Sequence, residues 1–495
     1  MNGTKRTLLS GVFYNAIAKY SGIVISLAVM AVLSRLLTPE VFGVATIATV
    51  IITFFGIFSD LGIAPAVIQY KDLDRDELDG IFSFTCWTGV AMALLFFICS
   101  GAIASFYGSH ELRPICRLLS VNLLFSSTNI VPNALILKNK RFRFIAGRTL
   151  FVQATVGAAA IAAAFSGAGV YALLVNPICS SIALFAINLR QYPLRLRRTL
   201  GLRPLRRIFS FSAYQFLFNV LNYFTRNLDK LMIGKYMGLT PLGYYDKSYR
   251  LMMLPLQNIT HVITPVMHPV FSDFQHDLQR LSASYLKVVR VLLFVGFPLS
   301  ALLYFTSSEL VLLFFGPQWT ASVPVFRILS LTVGVQIVLS TSGSIFQAAN
   351  STRVMFWSGA LSAVLNVAAI LAGIFIFGTL EAVAGCIALS FAVNFVQSYL
   401  LMYRVTFRRS WGPFWRLFLS PLLLTALIAA ALCGLQAVLP PSGLIVPLLA
   451  KGALALAIAA AYIQFGGVYD IRKAVADRLR SRRRNPDSPR TNTND

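Results

Sequence analysis

The sequence predicts an all-α integral membrane protein of about 14 transmembrane helices, in two pseudo-symmetric six-helix bundles followed by two C-terminal helices. Three observations predict it. Of 495 residues, 57% are hydrophobic and 12% are charged, against about 25% charged in soluble domains, and the mean hydropathy is +0.71. Apolar runs of about 20 residues, enough to cross a bilayer, recur along nearly the whole length. A segment of the first half also returns 200 residues later. Helices are the expected form because a helix satisfies its own backbone in lipid, and the alternation of a β-barrel is absent.

The spans follow in order at residues 12–36, 41–66, 80–106, 115–137, 147–166, 169–189, 208–234, 243–270, 284–305, 322–348, 354–377, 381–403, 414–437 and 443–465. The connections are short and leave no room for an inserted soluble domain. The N-terminal apolar stretch is too long for a cleavable signal and lacks a cleavage site, so it reads as the first span. Cys86, Cys99, Cys116, Cys179, Cys386 and Cys433 form no CxxC pair and read as small apolar fillers, without a disulfide framework or metal site.

The net charge of +25 has a topological reading. The segments "LKNKRFRF" after span 4, "LRQYPLRLRRTLGLRPLRR" after span 6, "YRVTFRRSWGPFWR" after span 12 and the tail "IRKAVADRLRSRRRNPDSPR" all fall on one side, with Lys5 and Arg6. Loops on the other side hold few cations, such as Arg35, Arg113 and Lys235. Basic loops stay in the cytoplasm, so both termini are expected there and the span count is even. This reading displaces a nucleic-acid role. The run "KDLDRDELDG" reads as a solvated cytoplasmic loop, and the polar tail from Asn485 as disordered.

The repeat pairs "LSRLLTPEVFGVA" from Leu33 with "IGKYMGLTPLGYY" from Ile233, so that Arg35 matches Lys235 and Gly43 matches Gly243. With the long basic loop after span 6, it divides the chain into a first bundle at 1–200, a second at 201–405, two extra spans at 406–465 and a basic, partly disordered cytoplasmic tail at 466–495. Transporters are often built from such repeats, with the path between them.

Polar residues line up on single faces. On span 7, Asn219, Asn222, Arg226, Asp229 and Lys230 fall within an arc of about 100°. On span 8, Lys247, Arg250, Gln257, Asn258, His261 and His268 do the same, and on span 1 Asn15, Lys19, Gly22 and Ser26 share a narrower face. One reading is polar contact between packed helices, with Arg226 and Asp229 paired at i,i+3. The other is a water-filled cavity. Cations outnumber acids: pairing with Asp229 and Asp246 leaves at least two of Arg226, Lys230, Lys247 and Arg250 without an acid nearby. Such cations call for an anionic ligand. Asp60, beside Gly62 and Pro65, marks a helix break and a candidate cation or proton site. Lys451 reads as a snorkelling side chain or a headgroup contact. His261 and His268 lack the spacing of a helical zinc pair and read as cavity lining.

On "LSRLLTPEVFGVATI", "FSDLGIAPAVIQ", "NLDKLMIGKYMGLTPLGYYDKSYRLMMLP", "ITPVMHPVFSDFQHD" and "FFGPQWTASVPVFRILSL", the chain resembles the polysaccharide flippases of the multidrug/oligosaccharidyl-lipid/polysaccharide exporter superfamily, of the colanic-acid and exopolysaccharide type. The resemblance implies a 14-span, V-shaped bundle in the bacterial inner membrane. It implies transfer of an undecaprenyl-pyrophosphate-linked oligosaccharide from the cytoplasmic to the periplasmic leaflet, among membrane lipids and alongside a polysaccharide polymerase and export machinery, with no cofactor. It makes Arg226, Lys230, Lys247 and Arg250 the candidates that hold pyrophosphate, with Lys19 opposite. Asn219, Asn222, Gln257, Asn258 and His261 become polar lining, and Asp229 and Asp60 candidates for ion coupling. Two rival classes are a drug exporter of the same superfamily, which favours acids in its cavity, and a membrane polymerase, which needs a larger extramembrane loop or a catalytic acid motif.

Overall fold

The structure is a computed structural model that describes residues 2–70, 72–197, 202–272, 274–275, 277–438 and 443–465. For 2–18, 202–215, 217–218, 221, 261–262, 264–266 and 268–269 it describes the backbone alone. The side chains of Asn15, His261 and His268 and the tail at 466–495 therefore lie outside the described residues.

Every described element is helical. Helix α1 (Asn2–Leu36) leads through Thr38 into α2 (Pro39–Asp60). Thr38 accepts from the Val41 amide and Pro39 opens the helix, both common N-terminal devices. Leu61 and Gly62 take left-handed conformations and break the chain into α3 (Ile63–Gln69). Helix α4 (Arg75–Tyr107) begins with a capping box between Asp74 and Glu77. The acidic run is therefore built into a helix start. Asp79 accepts from the Arg195 amide at 3.0 Å and Asp76 pairs with Arg197, which ties it to the basic segment after span 6.

Helices α5 (Leu112–Thr128), α6 (Ile130–Lys138), α7 (Phe142–Phe165) and α8 (Val170–Gln191) follow. Next are α9 (Leu202–Tyr236) and α10 (Leu239–Ser272), then α11 (Leu278–Phe305) and α12 (Ser307–Phe315). Helix α13 (Ser322–Ser330) meets α14 (Val333–Leu339) and α15 (Ser342–Ala348) at a bend of 46°. At that bend Ser300 accepts from the Gly334 amide at 2.8 Å, satisfying a donor the broken helix frees. Helix α16 (Thr352–Ala372) ends in a π-helical turn, as does α17 (Leu380–Leu401). Helices α18 (Gly412–Arg416), α19 (Leu419–Val438) and α20 (Ile445–Phe465) complete the chain.

Eleven described helical segments are long and apolar enough to cross a membrane, twelve with the bent α13–α15 run, so this is a multi-pass membrane protein. Helices α9 and α10 are not among them. At 35 and 34 residues they are the length to cross, about 50 Å each, but their polar stripes lower their hydropathy.

The chain forms two compact units: Met1–Leu251 with Val311–Leu329 and Ala360–Ser390, and Met252–Leu310 with Ser330–Gly359 and Phe391–Asp495. In the first, Ile63, Val67, Ile81, Phe82, Val131 and Leu135 pack α3, α4 and α6 together. In the second, Ala301, Leu424, Ile428, Leu432 and Ala455 bury the faces shared by α11, α19 and α20.

Candidate functional site

The site is built on a seam between the two copies of the repeat, inside the first unit. Gly43 in α2 lies so close to the Leu239 carbonyl that a Cβ would overlap its oxygen, and Gly243 in α10 stands in the same relation to Pro39. Leu239 and Gly243 are the 200-residue counterparts of Pro39 and Gly43, so the contact is reciprocal, as across a two-fold axis. Arg35 donates to the Leu313 carbonyl at 2.7 Å in the last turns of α12. Its counterpart Lys235 donates to the Phe106 carbonyl in the last turn of α4. Both supply a cation where a helix presents unpaired carbonyls.

One turn further in, the symmetry fails. Ile47 lies against Gly234. The matching pair is Lys247 and Ser34, and there the lysine ammonium donates to the serine hydroxyl at 2.7 Å. Lys247 is 1% exposed. Its nitrogen sits 3.5 Å from the Phe42 ring centroid, with Phe315 and Trp319 at 5.1 and 5.2 Å. Three aromatic faces and one hydroxyl replace water around this charge. Trp319 is fixed in turn by its indole N–H, which donates to the Ser34 carbonyl at 2.8 Å.

The neighbouring charges are shared out. Asp246 is buried and binds Lys230 at 2.8 Å and Arg250 Nε at 2.7 Å. Asp229 is buried too, accepting from the Tyr245 hydroxyl at 2.7 Å and from the Lys230 amide at 2.8 Å. Arg226 is exposed and has no ion-pair partner among the described residues. Four cations thus stand against two carboxylates, and Asp246 serves two of them. Asp229 finds a phenol across the helix pair, and not Arg226 one turn back.

Arg250 and Lys247 both line a cavity of about 350 Å³, with Ser26, Thr46, Gln153 and Asn176 among its polar groups. Arg250 is half-exposed there. Asp246 occupies its Nε, while its two terminal nitrogens have no partner among the described residues. A guanidinium held at its root, with two parallel donors free, suits a phosphate oxygen pair. The Gln153 carbonyl oxygen is buried without a partner among the described residues, close against Gly22 of α1.

A second cavity, of about 380 Å³, carries Asp60 and Asn219 with Thr53, Asn122, Ser126 and Ser127. Asp60 accepts from the Ala64 amide at 3.2 Å, closing the break before α3. Lys19 is exposed near the start of the chain and Asn222 is half-buried. Gln257 and Asn258 belong to the second unit, where Gln257 is exposed and Asn258 donates to the Leu254 carbonyl at 2.8 Å.

Sequence reasoning did not single out Ser34, Gln153, Asn176 or Trp319. Ser34 was within reach, since it is the counterpart of Gly234 in the repeat. Lys451, expected to snorkel, is instead 3% exposed. It pairs with Glu309 and donates to the Phe305 carbonyl at 2.7 Å, because α20 packs that face against α11 and α12 and hides it from the interface. Among the described residues no cluster of His, Cys, Asp or Glu is arranged to hold a metal ion.

Comparison with known proteins follows the same outline. The lipid II flippase MurJ in an inward closed conformation superposes with a TM-score of 0.72 over 92% of this chain and 98% of that one, at 13% identity. The teichuronic acid biosynthesis protein TuaB of Bacillus subtilis (strain 168) is 24% identical over 72% of this chain and 74% of its own. The succinoglycan biosynthesis transport protein ExoT of Rhizobium meliloti (strain 1021) is 23% identical over 74% of each. A family model described as "Polysaccharide biosynthesis protein" matches residues 32–324, which takes in the seam, Lys247, Arg250 and the Trp319 wall, and the chain belongs to that family.

Proposed function

We propose that the chain is a flippase for polysaccharide synthesis. It moves undecaprenyl-pyrophosphate-linked oligosaccharide from the cytoplasmic to the periplasmic leaflet of a bacterial inner membrane, with both termini in the cytoplasm. The observation that carries this reading is Arg250: anchored by Asp246 and aimed by it into a cavity whose wall also holds Lys247, which makes no ion pair among the described residues. The barrier to flipping is the passage of a charged pyrophosphate and a sugar chain through hydrocarbon. A polar chamber lowers that barrier while the polyprenyl tail stays in lipid. Arg250 and Lys247 meet the pyrophosphate, Gln153 and Asn176 offer amides to the first sugar, and Arg226 and Lys19 attract the headgroup from farther out.

The family membership and the TuaB, ExoT and MurJ likenesses support the same reading, and support a transporter over an enzyme. In this proposal α9 and α10 also cross the membrane, which gives fourteen spans, and the duplicated halves 1–200 and 201–405 rock about the glycine seam to alternate access. Asp60 is the acid placed to couple an ion, since it faces a polar cavity, while Asp229 is engaged by Tyr245. Deleting the protein in its host tests the reading. Surface polysaccharide should disappear and lipid-linked repeat units accumulate inside. Unchanged polysaccharide together with drug sensitivity would replace it with a drug exporter.

A further inference from the structure

The cavity beside Arg250 is small for an oligosaccharide, because small-molecule sites run from about 300 Å³ upward. The first unit holds a larger hollow of about 530 Å³, bounded by Tyr236 at the end of α9, Pro241 and Tyr244 in α10, Ile374 in the π-helical turn and Glu381 in the first turn of α17. Its rings touch neighbouring rings, and Tyr236 is itself exposed. Tyr236 meets Phe375 edge-on at 4.8 Å, and Tyr244 meets Trp319 edge-on at 6.0 Å. Glu381 is exposed as well and Tyr244 half-buried, and neither phenol nor the Glu381 carboxylate has a hydrogen-bond partner among the described residues. Trp319, fully buried, touches both Tyr244 and Lys247.

We propose that this hollow is a saccharide subsite. This subsite rests on the flippase reading and adds where the sugar chain is held. Aromatic faces suit the C–H faces of a pyranose, with the phenol hydroxyl as a polar handle. A carboxylate accepts sugar hydroxyl protons in strong, charge-assisted bonds. None of the residues lining the hollow is basic, and Glu381 repels phosphate, so lipid headgroup phosphate and the carrier pyrophosphate are disfavoured. The cationic cavity of Lys247 and Arg250 thus suits pyrophosphate and the acidic, aromatic hollow suits neutral sugar, with Trp319 in contact with a residue of each.

The test uses the full chain in lipid nanodiscs and two probes: undecaprenyl pyrophosphate without sugar, and the repeat-unit saccharide freed from its carrier by mild acid. Tyr236→Leu and Glu381→Gln should each weaken saccharide binding by about tenfold and leave carrier binding unchanged. Arg250→Gln should do the reverse. If both wild-type affinities are intact and neither Tyr236→Leu nor Glu381→Gln lowers that for saccharide, the subsite is overturned while the flippase reading stands. If the wild type binds neither probe, both fail. Should the hollow variants lose both probes equally and lower the melting temperature, their role is structural and the subsite is overturned.

Discussion

Asp246 takes Arg250 by Nε, 2.7 Å away and one turn along α10, and leaves the two terminal nitrogens of the guanidinium without a described partner. A buried acid that also binds Lys230 at 2.8 Å positions the guanidinium, and in the proposed function Arg250 is the group that meets cargo. Replacing Arg250 with Gln should cut flipping in reconstituted vesicles by about tenfold or more with little change in melting temperature. Arg250→Lys should recover only part, since the ammonium lacks the planar fork.

Asp246→Asn should behave differently. It strands two cations that the carboxylate compensates, one of them mostly buried. Breaking a buried pair costs about 3–5 kcal/mol. A clear fall in thermal stability of the purified protein is expected, with loss of flipping following from it.

At Lys247 the two halves differ by a lysine where the counterpart is Ile47. Lys247→Ile removes a buried lysine that makes no ion pair among the described residues. The fold should tolerate it, with an unchanged or higher melting temperature, while flipping falls. Wild-type flipping by this variant would show that the lysine serves packing alone.

The seam glycines give a steric prediction. Gly43→Ala and Gly243→Ala place a methyl onto a backbone carbonyl that cannot turn aside, so each should destabilise by about 1–3 kcal/mol or more. Gly147→Ala in α7, where the added methyl meets nothing within 4 Å among the described residues, is the control and should be neutral or slightly stabilising.

The buried pair of Lys451 and Glu309 makes a test of pairing in the second unit. Lys451→Met alone should destabilise by about 3–5 kcal/mol through an unpaired carboxylate, and Lys451→Met with Glu309→Gln should regain most of it. Thermal unfolding of the single and double variants measures the difference.

The helices and the stripe of charge were legible in the sequence because apolar length and angular periodicity are local properties. The repeat was legible for the same reason: Thr-Pro and the following glycine are a turn signal that reads alike in both copies. Partner choice was not legible. Arg226 and Asp229 are one turn apart on α9, yet Asp229 bonds to Tyr245 of α10, and that depends on how two helices are rotated against each other. The hidden position of Lys451 likewise depends on which face α20 turns inward. Ser34 and Gln153 are single polar groups in apolar runs, and only a cation or a cavity facing them distinguishes them from filler.

The reciprocal glycines bear on how such a chain can change over generations. Their seam is made of main-chain atoms, so it holds its register whatever side chains surround it. The two matching segments keep this main-chain contact while carrying isoleucine at one position and lysine at the other.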